Sequence, residues 1–266
     1  MPRSGKTGGV QARKATPETG RYLYAVCRGV DTESLRTVRG IEDQPLEVVE
    51  HLDLVALVST VPLSSFGEEA LRSNLEDLAW LETAVRSHDA VVHAASALAP
   101  TAPMRLATIC FDDHAVRARL REWYISLTHV LDRVEGCSEW SVKVLSPPAA
   151  SSSPTVDARP SSGAEYLRRK KAAAAERADT TESAVASAGL IYEQLSGRAR
   201  ASRQLPHQDP RLSGHEGTMV LNAAFLVSDA EARSFADLIG LLADEHLGLL
   251  VDGRGPWPPY SFAMLG

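Results

Sequence analysis

RYLYAVCR, residues 21–28, alternates with the period of a β-strand: Tyr22, Tyr24 and Val26 fall on one face, Leu23, Ala25 and Cys27 on the other. Aromatic and β-branched side chains favour the pleated backbone, and a strand apolar on both faces needs protein on both. The stretch therefore predicts a central strand. Downstream, LEVVEHLDLVALVSTV (46–61) divides into two strands that meet near His51–Asp53. The second, Leu54–Val58, is continuously apolar and predicts a buried strand that Pro62 ends.

A helix is expected next, capped by Asn74 and helped by Glu76 and Asp77 at its positive end. Its predicted inner stripe is Leu75, Leu78, Leu81, Val85, Val92 and Ala95, running to about Leu98. APTAP (99–103) stops it, and MRLATICF (104–111) predicts a strand. Asp112 or Asp113 then caps a second long helix to about Glu135, with Val116, Leu120, Trp123, Leu127, Val130, Leu131 and Val134 inward. After Gly136, SEWSVKVL alternates again, with Trp140, Val142 and Val144 on one face. This order predicts an α+β domain over 21–145, a variant of the ferredoxin-like plan with an antiparallel sheet and helices on one face.

Residues 1–20 are polar and basic and predict a disordered tail; SPPAASSSPTVDARPSSG (146–163) predicts a flexible linker. A smaller α+β domain is expected over 164–266. It opens on a long alanine-rich helix whose ends carry Tyr166, Leu167, Val185, Ile191, Tyr192 and Leu195, with Thr180–Thr181 and Gly189 as points of bending. A short strand at Ala201–Leu205 follows, then MVLNAAFLV (219–227), a buried strand. A helix capped by Asp229 comes next, with Ala232, Phe235, Leu238, Ile239 and Leu242 inward, and LGLLVDG (247–253) is a last strand. Asn222 is a polar amide inside a buried strand and must find partners, so it is expected to pin a turn or loop.

The chain carries a net charge of −6 over 266 residues, which gives no general attraction to nucleic acid or anionic lipid. No apolar run is long enough to span a bilayer, and no signal peptide opens the chain, so a cytoplasmic location is expected. Cys27, Cys110 and Cys137 lack metal-type spacing and read as small buried hydrophobes. SGKT (4–7) lacks the glycine and preceding strand of a phosphate loop. No nucleophile elbow, zinc-protease motif or dinucleotide fingerprint occurs, so neither enzymatic activity nor a cofactor is expected. His88 and His93 point to different sides of one helix; His207, Asp209 and His215 share a polar loop and are weighed as metal ligands against plain solvated residues. Asp112–Asp113–His114 reads as a helix start, and the Arg168–Lys171 run as a solvated face or a contact for an acidic partner.

GPWPPYSF (255–262) concentrates aromatic and proline residues in a chain with 6% aromatics. Trp257, Pro258, Pro259, Tyr260 and Phe262 read as a plug folded over the second domain, in which a cis Trp257–Pro258 bond is weighed; the alternative is an exposed PWPP docking peptide of an adaptor. As a buried plug, Trp257 would cost about 3–5 kcal/mol on truncation to alanine.

Several stretches, in order, resemble the gas vesicle protein GvpF/GvpL family: LYAV (23–26), the 54–92 segment, MRLATICF, CSEWSVKV (137–144), GAEYLRRK (163–170), VLNAAFLV (220–227) and GPWPPYSF. The resemblance implies a two-domain α+β accessory protein without enzymatic activity, acting in assembly of the gas-filled shell. Implied partners are the small hydrophobic shell protein and other gas vesicle accessory proteins. Trp140, Tyr166, Asn222 and the 257–262 aromatics and prolines are the candidate structural or partner-contact residues.

Overall fold

A computed structural model describes residues 18–147, 163–207 and 217–263. Most of the expected basic tail and linker lies outside the described residues. β1 (Thr19–Arg28) is indeed interior: β2 (Glu47–His51), β3 (Leu54–Pro62), β1 and β4 (Thr101–Pro103) form an antiparallel sheet in the order β2-β3-β1-β4, and the short β5 (Ile109–Cys110) also pairs with β1. The alternation of β1 is broken once. Its register against β3 shifts between Leu23 and Ala25, a bulge that puts Val26 with Leu23 on one face and Tyr22, Tyr24, Ala25 and Cys27 on the other.

Both faces are covered by helices, not one as expected. α1 (Leu63–Phe66), α2 (Glu68–Asn74) and α3 (Leu78–Ser96) follow β3, and α3 covers the tyrosine face. α4 (Asp113–Glu122) and α5 (Tyr124–Val134) cover the other, through Val116, Leu120, Leu127 and Leu131. Helices on one face would leave half of a doubly apolar strand wet, so the residue pattern of β1 itself demands the second layer. Arg21 ties this sheet to α4, donating from Nε to Asp113 and from Nη1 to Glu47, each at 2.7 Å.

α3 differs from its predicted form in start and face. Asn74 ends α2, and the cap is Asp77, whose carboxylate accepts from the Ala79 and Trp80 amides. The buried stripe is Ala84, His88, Val91, Val92 and Ala95, whereas Leu78 and Val85 face outward. MRLATICF is not one strand: Pro103, just before it, lies in β4, at a sheet edge where a missing N–H costs nothing, and Ala107 turns the 104–108 loop with φ +62°. Asp112 does cap α4, accepting from Ala115 N, and Trp123 marks the break into α5.

β6 (Cys137–Ser146), expected as the last strand of the first domain, belongs to the second sheet. It pairs with β8 (Thr218–Ser228) along its length and with β9 (Leu250–Trp257), in the order β7-β8-β6-β9 with β7 at Ala201–Gln204. Trp140, Val142 and Val144 meet Leu221, Ala223 and Phe225 under α6 (Gly163–Ser196) and α7 (Ala232–Glu245). Ala224 and Leu226 turn the other way, into the core shared with α4, α5 and the first sheet. The layers therefore run α3, first sheet, α4–α5, second sheet, α6–α7.

α6 is unbroken over 34 residues, with neither Thr180–Thr181 nor Gly189 interrupting it. Ala184, Ala188, Ile191 and Leu195 bury its carboxyl-terminal third, while Leu167 and Val185 are exposed. α7 begins at Ala232 after a 3-10 turn at Asp229–Glu231, and its cap is Glu231, not Asp229.

Candidate functional site

β9 lies at the edge of the second sheet, which is where a strand carrying Pro256 fits. Gly255 passes directly over Trp140; a Cβ there would stand 2.7 Å from the indole and 3.0 Å from the Glu139 carbonyl. Trp140 is thereby buried against Phe235, at 5.8 Å between ring centroids. The cis bond of the segment is Gly255–Pro256, two residues before the Trp257–Pro258 pair weighed from the sequence.

Beyond Trp257 the chain leaves the second sheet and crosses to the first. Pro258 and Pro259 are buried, so a polyproline-binding groove could reach only Pro256 and Trp257 of the PWPP run. Tyr260 packs on the tyrosine face and donates its hydroxyl to Asp89 of α3 at 2.6 Å. Ser261 gives both its amide and its hydroxyl to the Glu139 carboxylate, each at 2.7 Å, and its carbonyl accepts from Arg203 of β7. Phe262 and Ala263 enter the core between the sheets. The plug thus closes the seam between the two sheets, not the second sheet alone. Trp257 is its outermost part, 43% exposed and edge-on to His93.

Burial drives the Glu139 carboxyl above its ordinary range, partly offset by Ser261 and Arg203. Tyr260 is pushed well up by burial and by the carboxylate it faces.

Beside this clasp is a cleft of about 660 Å³, within the range of ligand sites. α3 supplies Val85, His88 and Asp89; the turn after β4 supplies Met104, Arg105 and Leu106. Trp123, at the α4–α5 break, and Tyr260 complete it. The 104–108 turn is tightly held: Thr108 donates from N and Oγ1 to the Arg105 carbonyl, and the Ala107 amide donates to the Tyr22 hydroxyl at 3.0 Å. The Tyr22 hydroxyl and His88 Nδ1 share a hydrogen bond at 3.1 Å, and Nε2 lies buried without a hydrogen bond of good geometry. Burial lowers the His88 pKa, so the ring is held neutral. The walls are largely apolar, with His88, Asp89, Arg105 and Thr108 as the polar groups along them, a composition that suits binding.

Of the residues singled out from sequence, Asn222 performs as expected: its amide donates to the Pro206 carbonyl at 2.6 Å and pins the chain after β7. Of the candidate contact residues Tyr260 alone reaches the cleft, where it is joined by His88. Trp140 and Phe262 are core, and the Tyr166 side chain lies outside the described residues. Asp209 and His215 also lie outside them; among the described residues no trio of His, Cys, Asp or Glu gathers as a metal site. Glu139, Asp89, Val85 and Arg105 were not singled out for a site. A lone glutamate facing away from Trp140, Val142 and Val144 on a strand was the one visible signal, and only for the first of them.

The family model for gas vesicle synthesis protein GvpL/GvpF matches residues 20–264. The chain belongs to the GvpL/GvpF family. Gas vesicle protein L of Streptomyces sp. (strain CB03234) is 40% identical over 247 residues, covering 91% of this chain and 92% of that protein. Gas vesicle protein F of the same strain is 29% identical, covering 91% and 98%. The crystal structures of GvpF from Anabaena sp. PCC7120 and from Microcystis aeruginosa share the fold, with TM-scores of 0.67 and 0.66 at 18% and 17% identity. They cover 93% and 92% of this chain, and the match spans 97% and 99% of theirs. Membership in the GvpL/GvpF family implies a role in gas vesicle formation. Among the described residues no helix is long and apolar enough to cross a membrane.

Proposed function

We propose that this GvpL/GvpF protein is a non-catalytic assembly factor that binds the small hydrophobic shell protein, other accessory gas vesicle proteins, or both, and works in the cytoplasm at the growing vesicle. Support comes from family membership and above all from one observation: an open, largely apolar cleft beside a seam clasped by the hydrogen bonds of Tyr260 and Ser261. A hydrophobic subunit in transit to a shell needs apolar surface that stays open and does not collapse, and the clasp holds the Tyr260 wall in place. Trp257, on the same flank, extends the exposed apolar surface.

The test is co-purification from cells making the gas vesicle cluster, followed by cross-link mapping. Shell protein should be retained, with cross-links near α3, the 104–108 turn and Trp257. Normal vesicles in a clean deletion strain with no paralogue present would refute the role.

A further inference from the structure

Arginines that bridge elements in this molecule are matched. Arg21 meets Glu47 and Asp113, and Arg28 meets Asp132 and Glu135. Arg105 is one of several arginines with no carboxylate pair among the described residues, and it is the one that lines the cleft. It lies at the mouth, exposed. The nearby acid, Asp89, is already engaged by Tyr260 at 2.6 Å and by His93 at 3.4 Å. Arg105 is also presented firmly. Its carbonyl is gripped twice by Thr108, and Ala107 in the left-handed region fixes the turn onto Tyr22.

Behind the guanidinium stand Val85, Met104, Leu106 and Trp123. Val85 is 45% exposed although it lies on the helix that covers the tyrosine face. A largely apolar wall with Arg105 at its lip, and Arg119 stacked over the Trp123 ring at 5.1 Å, is complementary to an apolar chain segment bearing one carboxylate. Apolar contact gives the affinity, and the guanidinium fork selects and orients the acid.

We propose that the cleft receives an apolar segment of a partner protein carrying an acidic side chain, which pairs with Arg105. The inference rests on the reading of the protein as a binding factor and adds the chemistry of what it binds. The 104–108 turn is the specificity element and α3 the apolar platform. Removing the charge at position 105 therefore changes which segment is preferred while leaving the fold intact.

The experiment uses the full chain and a short acetylated, amidated leucine–alanine peptide with one glutamate, beside its glutamine and lysine twins, followed by fluorescence anisotropy. The glutamate peptide should bind about five- to tenfold more tightly than the glutamine twin. Arg105→Gln should make the two equal, Arg105→Glu should transfer the preference to the lysine twin, and Val85→Asp should abolish binding of all three. Thermal melts of each variant check the fold. No binding by the wild-type protein, equal binding of all peptides, or a glutamate preference that survives Arg105→Gln overturns the proposal. So does dimerisation abolished by Arg105→Gln, which assigns the cleft to a second copy, or tighter binding of monomeric dodecanoate, which assigns it to a small amphiphile. If both variants still retain the shell protein in co-purification, this inference fails and the assembly role stands.

Discussion

The clasp and the cleft are neighbours that share Tyr260, yet they treat polar groups in opposite ways. In the clasp, the side-chain hydroxyl of Tyr260 and the amide, hydroxyl and carbonyl of Ser261 are all matched, and Phe262 and Ala263 are sealed in core. In the cleft, apolar side chains such as Val85 remain exposed and Arg105 meets no carboxylate among the described residues. Saturated hydrogen bonding next to buried aromatics marks a region that stabilises the fold; unsaturated surface on a rigid frame marks one that serves another molecule.

Substitutions should separate the two, and the largest effect belongs to the clasp. Phe262→Ala should destabilise by about 3–5 kcal/mol in denaturant titration, while Trp257→Ala should cost no more than about 1 kcal/mol, since it is partly exposed. The reverse order would move the plug back to the tryptophan. Glu139→Ala strands two donors of Ser261 and should cost about 1–3 kcal/mol.

Next is pH. Ionised Glu139 is penalised only in the folded chain, so its folded pKa is raised and the penalty lifts as pH falls through that value. The wild type should therefore gain stability relative to Glu139→Gln as pH falls from neutral toward the ordinary carboxylate range. His88 acts oppositely. Its folded pKa is lowered, so the unfolded chain takes up the proton first, and stability is lost as pH drops below about 6.5; Asn at 88 should remove that loss in melts across the same range. Tyr260→Phe, which removes one hydrogen bond to Asp89 from the shared wall, should cost about 1 kcal/mol. Smallest of all, Arg105→Gln should leave the melting transition within about 0.5 kcal/mol of wild type. A large loss there would mean that the cleft is structural after all.

The strands were legible because their alternation is local: β1, β3, β6 and β8 all appear where the residue pattern puts them. The faces were less so. Leu78 and Val85 outweigh Ala84 and His88 in hydrophobicity, but small residues such as Ala84 let α3 approach the Tyr22–Tyr24 face. Assigning β6 to the first region followed chain order, which carries no information on which sheet a strand joins. The bulge in β1 changed the face of Val26 without a glycine to announce it. The aromatic density of GPWPPYSF was visible, but its partners are remote in sequence: Asp89 lies 171 residues before Tyr260, and Glu139 lies 122 before Ser261. The cleft was the least legible, because its walls come from α3, a turn, a helix break and the clasp, and no periodicity runs through them.

Phe262 and Ala263 complete a core that begins with Leu23 and Val26. On a ribosome, then, the core that α4 and α5 close over this face of β1 stays incomplete until nearly the last residues described. Until they arrive, the gap that Phe262 and Ala263 fill is open to chaperones and to other nascent chains. Maturation of the first sheet is in this sense timed by synthesis of the second.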